Sequence, residues 1–158
     1  MAKRFFRCNS CGNIIGVIKD GGGPLVCCGQ PMQELKANTT DAAQEKHVPV
    51  VTVTGSNVKV CVGSVAHPML AEHFIEWIHL ETKKGAQMAH LQPGDKPEAE
   101  FSLAPGDEAI AAYAYCNLHG LWKADAYGIT DEIWHPAITH VNKVRLTSKM
   151  LGCYNGER

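Results

Sequence analysis

The stretch VPVVTVTGSNVKVCV, residues 48–62, decides how this chain is read. Two runs rich in valine and threonine, Val48–Thr54 and Asn57–Val62, flank the pair Gly55-Ser56. β-Branched side chains suit a pleated backbone, and Val58, Val60 and Val62 alternate with Lys59 and Cys61, the period of a strand with one buried face. Two such runs around a glycine-led pair predict a β-hairpin. Further segments of the same kind follow: FIEWIHL (74–80), AQMAHL (86–91), AEFSL (99–103), EAIAAYAY (108–115) and LWKADAY (121–127). The separators ETKKG, QPGDKP, APGDE and CNLHG are turn-formers. Alternation is clear in Val58-Val60-Val62 and only rough in Phe74-Trp77-Leu80. Seven short strands at this spacing predict an all-β chain whose main body is an antiparallel β-sandwich. No long helical period precedes residue 125, and no internal repeat is visible.

Upstream, residues 1–36 have another character. Short apolar pieces, Ile14–Ile18 and Leu25-Val26, surround the turn Gly21-Gly22-Gly23-Pro24. So small a module buries too little apolar surface to fold alone and needs a staple. Residues 37–46, within KANTTDAAQEK, are polar without a hydrophobic period and read as a linker. The domain reading is therefore 1–36, a linker at 37–46, a sandwich at 47–124 and an extension at 125–158. In the extension Thr130 could cap a short turn ended by Pro136, and HVNKVRLTSK could form a strand.

Composition narrows the function. The 158 residues carry a net charge of −1 with both signs interspersed, which argues against a nucleic-acid or membrane-surface binder. No apolar run approaches the ~20 residues that span a bilayer, and MAKRFFRCNSCG lacks the apolar core of a secretion signal. A cytoplasmic protein is expected. Seven cysteines in a reducing compartment point to metal ligation or redox chemistry more than to a disulfide framework, and eight histidines enlarge the ligand pool.

Four of the cysteines belong to the small module. Cys8 and Cys11 form a Cys-x2-Cys knuckle, and Cys27-Cys28 are adjacent. Four thiolates fit a tetrahedral site, and the residues leave zinc and iron both open. Neighbouring cysteines diverge across a trans peptide, so a strained S–metal–S angle is expected there. Disulfides or buried thiols are the alternative.

A second set lies at predicted strand ends: His47 in QEKHVPVV, His67 and His73 in VAHPMLAEHF, and Cys116 and His119 in YCNLHGLW. Any one histidine is more often a satisfied core or surface residue. Four imidazoles and a thiolate together exceed a structural zinc's ligand set and suit an octahedral, redox-active iron with one position open. A thiolate opposite that position would donate electron density across the metal, as an axial cysteine does in haem proteins. Lys46 could draw in a small anion and Glu45 could serve as a displaceable ligand or proton relay, although EK in isolation reads as solvated linker charge.

The motifs CNSCGN…CCGQPM, EKHVPVV, VGSVAHPMLAEHFIEWIHL and YCNLHGLWKA, occurring in order around a linker, resemble the two-iron superoxide reductases, the desulfoferrodoxins. The likeness runs from about residue 2 to 124. It implies a small desulforedoxin-like module with a rubredoxin-type iron on Cys8, Cys11, Cys27 and Cys28, followed by an immunoglobulin-like antiparallel sandwich with the catalytic iron. There His47, His67, His73 and His119 would be equatorial and Cys116 axial. Superoxide would bind the open face of ferrous iron, take one electron and leave, after protonation, as hydrogen peroxide. By the same likeness Lys46 attracts superoxide and positions water, Glu45 ligates the ferric ion after turnover, and the protein is a homodimer re-reduced by rubredoxin or a similar carrier.

The residues outside this pattern are expected to be structural. Cys61 reads as a small buried or edge-strand thiol, His79 and His90 as cross-strand or surface residues, and Trp77 and Trp122 as core aromatics. His135, His140 and Cys153 fall in the extension, beyond the family pattern. Two other functions fit the residues: a rubredoxin-like electron carrier, or a zinc-stabilised binding module without redox chemistry.

Overall fold

A computed structural model describes residues 3–126 of the chain. The turn and strand expected in the extension, and His135, His140 and Cys153, lie outside the described residues.

The hairpin at 48–62 forms as β6 (Pro49–Thr54) and β7 (Asn57–Val62), in register from Pro49↔Val62 to Thr54↔Asn57. Gly55 takes φ +60°, the left-handed conformation that lets a two-residue turn follow the twist of its strands. The five further segments form β8 (Ile75–Thr82), β9 (Ala86–His90), β10 (Glu98–Ser102), β11 (Ala109–Cys116) and β12 (Gly120–Asp125). They assemble as two antiparallel sheets, ordered β10-β7-β6 and β12-β11-β8-β9. Val58, Val60 and Val62 from one sheet meet Ile78, Leu80, Ala112, Ala114 and Cys116 from the other, all fully buried. The sandwich core is therefore the inward face of the alternation that the valines display.

The rough alternation in β8 has a physical cause. Ile78 and Leu80 enter the sandwich core, while Trp77 packs on the opposite face of the sheet with Tyr113, Tyr115 and Ala111. That outer face is covered by Phe5, Ile14 and Leu35 of the N-terminal segment. Both strands, β8 and β11, are buried on both faces. The outward residues of β8 mix apolar Trp77 with polar His79 and Glu81, so apolar character does not mark one face alone. Glu81 is buried and accepts from the Tyr113 hydroxyl at 3.1 Å.

The N-terminal segment contains two small sheets, β2-β1-β5 and β3-β4, built from β1 (Phe5–Arg7), β2 (Ile14–Gly16), β3 (Val26–Cys27), β4 (Gln30–Pro31) and β5 (Gln33–Leu35). Phe5 places its ring 5.2 Å from Trp77 and 5.4 Å from Tyr113. Past β5, Asn38 is pinned to β12. Its side-chain N–H donates to the Lys123 carbonyl at 3.0 Å, and its carbonyl oxygen accepts from the Lys123 N–H at 2.8 Å. Residues 37–46 thus begin anchored to the sandwich and end in one helical turn, α1 (Gln44–His47).

Three side chains left open or read as structural can now be placed, and one of them differs from expectation. His79 is cross-strand, as one of its two readings expects, paired with Tyr113 and Met88. It is 8% exposed, edge-on to Phe5 at 5.3 Å and buried under the N-terminal segment. Cys61 is buried in β7, as expected, but it is disulfide-bonded and not a thiol. Trp122 is a core aromatic with a second role, as the metal centre shows.

Candidate metal centres

The four cysteines of the small module come together. Their sulfurs form one group with all ligand atoms within 4.8 Å of one another. Cys11 and Cys27 are 3.6 Å apart at sulfur, and Cys27 and Cys28 are 4.0 Å apart. The adjacent pair shares a centre because Cys28 turns to φ +52°, a left-handed backbone that is uncommon for a residue with a Cβ. The strain expected at the sulfurs is thus partly taken up by the main chain. Cys8 is buried and its thiol is drawn down to about 6, first by the hydrogen bond from the main-chain N–H of Cys11. Cys28 is exposed and pushed up to about 12, first by its contact with the Cys11 sulfur. Crowded thiols of unlike acidity need a cation before all four can ionise together.

The second group is assembled from three places in the sequence. His47 ends α1, His67 and His73 lie in the loop between β7 and β8, and Cys116 and His119 border the turn from β11 to β12. A register shift between Tyr115 and Cys116 marks the end of regular pairing with β8 at the thiol. The four imidazoles form a closed square, each edge-on to its neighbours. Ring centres are 4.6 Å apart for His47–His67, 4.6 Å for His67–His73, 4.8 Å for His73–His119 and 4.7 Å for His119–His47. Cys116 Sγ lies 3.7 Å from His119 Nδ1.

The donor chemistry decides what the square is for. His47 Nδ1 donates to the Ala43 carbonyl at 2.7 Å, and His67 Nδ1 donates to the Pro68 carbonyl at 2.5 Å. Each neutral ring has one proton, so both Nε2 atoms present bare lone pairs, and they face each other 3.1 Å apart. His119 Nδ1 lies 2.9 Å from His47 Nε2, and His73 Nε2 is buried with no partner. Lone pairs converging at such distances repel unless a cation sits among them. Burial lowers the pKa of His47 and His73 and pushes His67 down to about 4, keeping the rings in the neutral form that ligates. Burial raises Cys116, partly opposed by main-chain N–H groups of His119 and Leu118. The five donors fit a metal ion, with carbonyls orienting two of the imidazoles from behind.

Glu45 and Lys46 are exposed on α1 beside His47. The Lys46 charge helps hold His73 below its ordinary value, so the ammonium lies within electrostatic reach of the site. The turn that carries both is clamped from below. The Glu45 carbonyl accepts from Val65 N–H at 2.9 Å, and Gly63 N–H donates to the Val48 carbonyl at 3.1 Å. A Cβ at Gly63, where φ is +83°, would overlap the carbonyl oxygens of Glu45 and Val65. Trp122, fully buried, stacks on His47 at 4.8 Å and 23°. Sequence reading gave Gly63 no role and Trp122 only a core one. The glycine in VGS carries the only local signal for the first, and nothing in LWKA singles out the second.

The desulfoferrodoxin N-terminal domain profile matches residues 2–35, and the desulfoferrodoxin profile matches residues 39–125. The chain belongs to the desulfoferrodoxin family. A desulfoferrodoxin from Nitratidesulfovibrio vulgaris is 52% identical over 121 residues, covering 77% of this chain and 94% of that protein. A desulfoferrodoxin homologue from Archaeoglobus fulgidus is 49% identical over 119 residues, covering 75% and 94%. The solved superoxide reductase of Treponema pallidum superposes with a TM-score of 0.68 at 41% identity, covering 79% of this chain and all of that one. As a desulfoferrodoxin the chain has two iron centres, and its described residues contain two groups able to hold them.

Proposed function

We propose that this chain is a superoxide reductase, adding one electron and two protons to superoxide to give hydrogen peroxide. The observation that carries this reading is the square of four neutral imidazoles over a buried thiol, a donor set beyond what a structural zinc uses. His47, His67, His73, His119 and Cys116 would hold the catalytic iron, and Cys8, Cys11, Cys27 and Cys28 the rubredoxin-type iron. When bound, the catalytic iron supplies the electron.

The protein's own groups handle charge, protons and water. Cys116 is fully buried, whereas His73 and His119 are half-buried, so the site runs from a dry sulfur to a wet rim. Lys46 at that rim draws the anion in and orders water for protonation. Glu45, on the same turn, would offer a further carboxylate donor to the metal in its oxidised form. A wet rim favours protonation and loss of peroxide, where a sealed pocket would hold it for O–O cleavage. The same reading divides the chain at 1–36, 37–46, 47–124 and 125–158. It makes the protein a cytoplasmic homodimer, re-reduced by a rubredoxin-like carrier and serving to detoxify superoxide under oxidative stress. No helix among the described residues is long and apolar enough to cross a membrane.

Anaerobic purification with metal analysis, followed by rapid mixing with superoxide, tests the reading. The expected result is iron in both centres and a transient absorption change at the histidine–cysteine centre alone. Zinc at full occupancy in both would leave a non-redox binding module. Iron without superoxide consumption faster than free iron would leave an electron carrier.

A further inference from the structure

Asn117, between the thiol and Leu118 in the CNLH motif, ligates nothing in the proposed site but ties two of its loops together. Its side-chain carbonyl accepts from the Phe74 main-chain N–H at 3.0 Å, and its amide donates to the Glu72 carbonyl at 3.0 Å. Its own main-chain N–H donates to the Phe74 carbonyl at 3.2 Å. These three bonds bracket His73 on both sides. His47 and His67 have their rings oriented by carbonyls behind them, whereas His73 has no such carbonyl among the described residues. A reciprocal main-chain pair with Leu70, at 2.9 and 3.1 Å, holds His73 within its own loop but does not tie that loop to the thiol.

We propose that Asn117 is a positioning residue for the metal centre, fixing the backbone on either side of His73 to the residue that follows Cys116. The inference rests on the five donors sharing one metal; it does not depend on the reaction with superoxide. Asparagine suits the place because it offers an acceptor and a donor at once. Aspartate would keep the bond from Phe74 N–H, lose the donation to Glu72, and put a negative charge where Oδ1 now lies 3.9 Å from the Cys116 sulfur.

The test is cobalt(II) titration of the metal-free full chain. Asn117→Ala should lower cobalt affinity at the mixed histidine–cysteine centre by roughly 10- to 100-fold, the usual range for a group that orients a ligand. Asn117→Asp should lose less. Ligand-field absorption should strengthen as His73 leaves and coordination falls from five to four, while the thiolate-to-cobalt band persists. The four-cysteine centre of the same chain should load as in the parent, which controls for folding. Combined with His73→Ala, the Asn117→Ala change should add little, because both act through one ligand. Parental affinity and spectrum in Asn117→Ala, or losses that add in full, would overturn the proposal. Should Asn117→Ala also fail to load the four-cysteine centre, Asn117→Asp decides by the same affinity and spectral readings. A parent chain that shows this cobalt pattern but has no superoxide turnover when loaded with iron would defeat the reductase reading alone.

Discussion

The two metal centres solve opposite problems. The four-cysteine group sits in a module of short strands whose largest buried rings, Phe5 and Phe6, include one that faces the sandwich instead of a core of its own. Two of its thiols, Cys11 and Cys28, are exposed, and one needs a left-handed backbone to take part. There the metal organises the protein. The mixed group sits at one end of a packed sandwich, with His47, His67 and Cys116 buried and with carbonyls, an indole and an asparagine around them. There the protein organises the metal. The first arrangement suits a stable site exposed to a redox partner, and the second an ion held in an unusual donor set.

The largest expected effect comes from metal removal. Chelation should abolish hydrogen-exchange protection in residues 3–35 while β6 to β12 keep theirs, because a module this small depends on its metal to fold. Equal loss in both regions would erase the contrast. Next, Cys116→Ser should cost the second centre more than the ~100-fold affinity loss seen when supporting groups are removed, and should abolish its thiolate absorption. His119→Ala should mainly loosen the metal and leave that absorption in place. Absorption of the four-cysteine centre should be unchanged in both.

Trp122→Ala should destabilise the sandwich by about 3–5 kcal/mol, the usual range for an emptied aromatic core site, measured by denaturant unfolding of the holoprotein. It should also weaken metal binding through His47. Acidification acts in a defined window. Burial lowers the folded-state pKa of His67 to about 4, so the neutral ring's contribution is complete above its ordinary 6.5 and is lost as pH falls from there towards 4. Stability of the metal-free sandwich and metal retention at the second centre should both decline across that range, read by thermal unfolding and by metal release. Smallest is Lys46→Ala, which should slow the bimolecular step several-fold at low ionic strength and flatten its salt dependence. Unchanged rates at low salt would remove the steering role.

The sequence made some of this legible and concealed the rest for physical reasons. β7 is readable because Val58, Val60 and Val62 all enter the core while Asn57 and Lys59 do not, and the Gly55-Ser56 turn then sets β6 beside it. β8 was read only roughly because Phe5 and the N-terminal segment cover its second face, a tertiary fact absent from local pattern. The nine donors were visible as short motifs of ligand residues at strand ends. Asn117 stands inside CNLH, but its role is invisible there, since its partners at 72 and 74 are remote in sequence. Trp122 could be read as core, but its stacking on His47 depends on how β12 meets α1. His79 is cross-strand, one of the two readings its sequence allows, and the choice between them depends on the same covering segment as β8.

The most direct test of the central claim is product stoichiometry. Anaerobically reduced protein, carrying two irons per chain, should convert each superoxide to one hydrogen peroxide without releasing dioxygen. Release of one dioxygen for every two superoxide ions consumed would show dismutation and contradict a reductase.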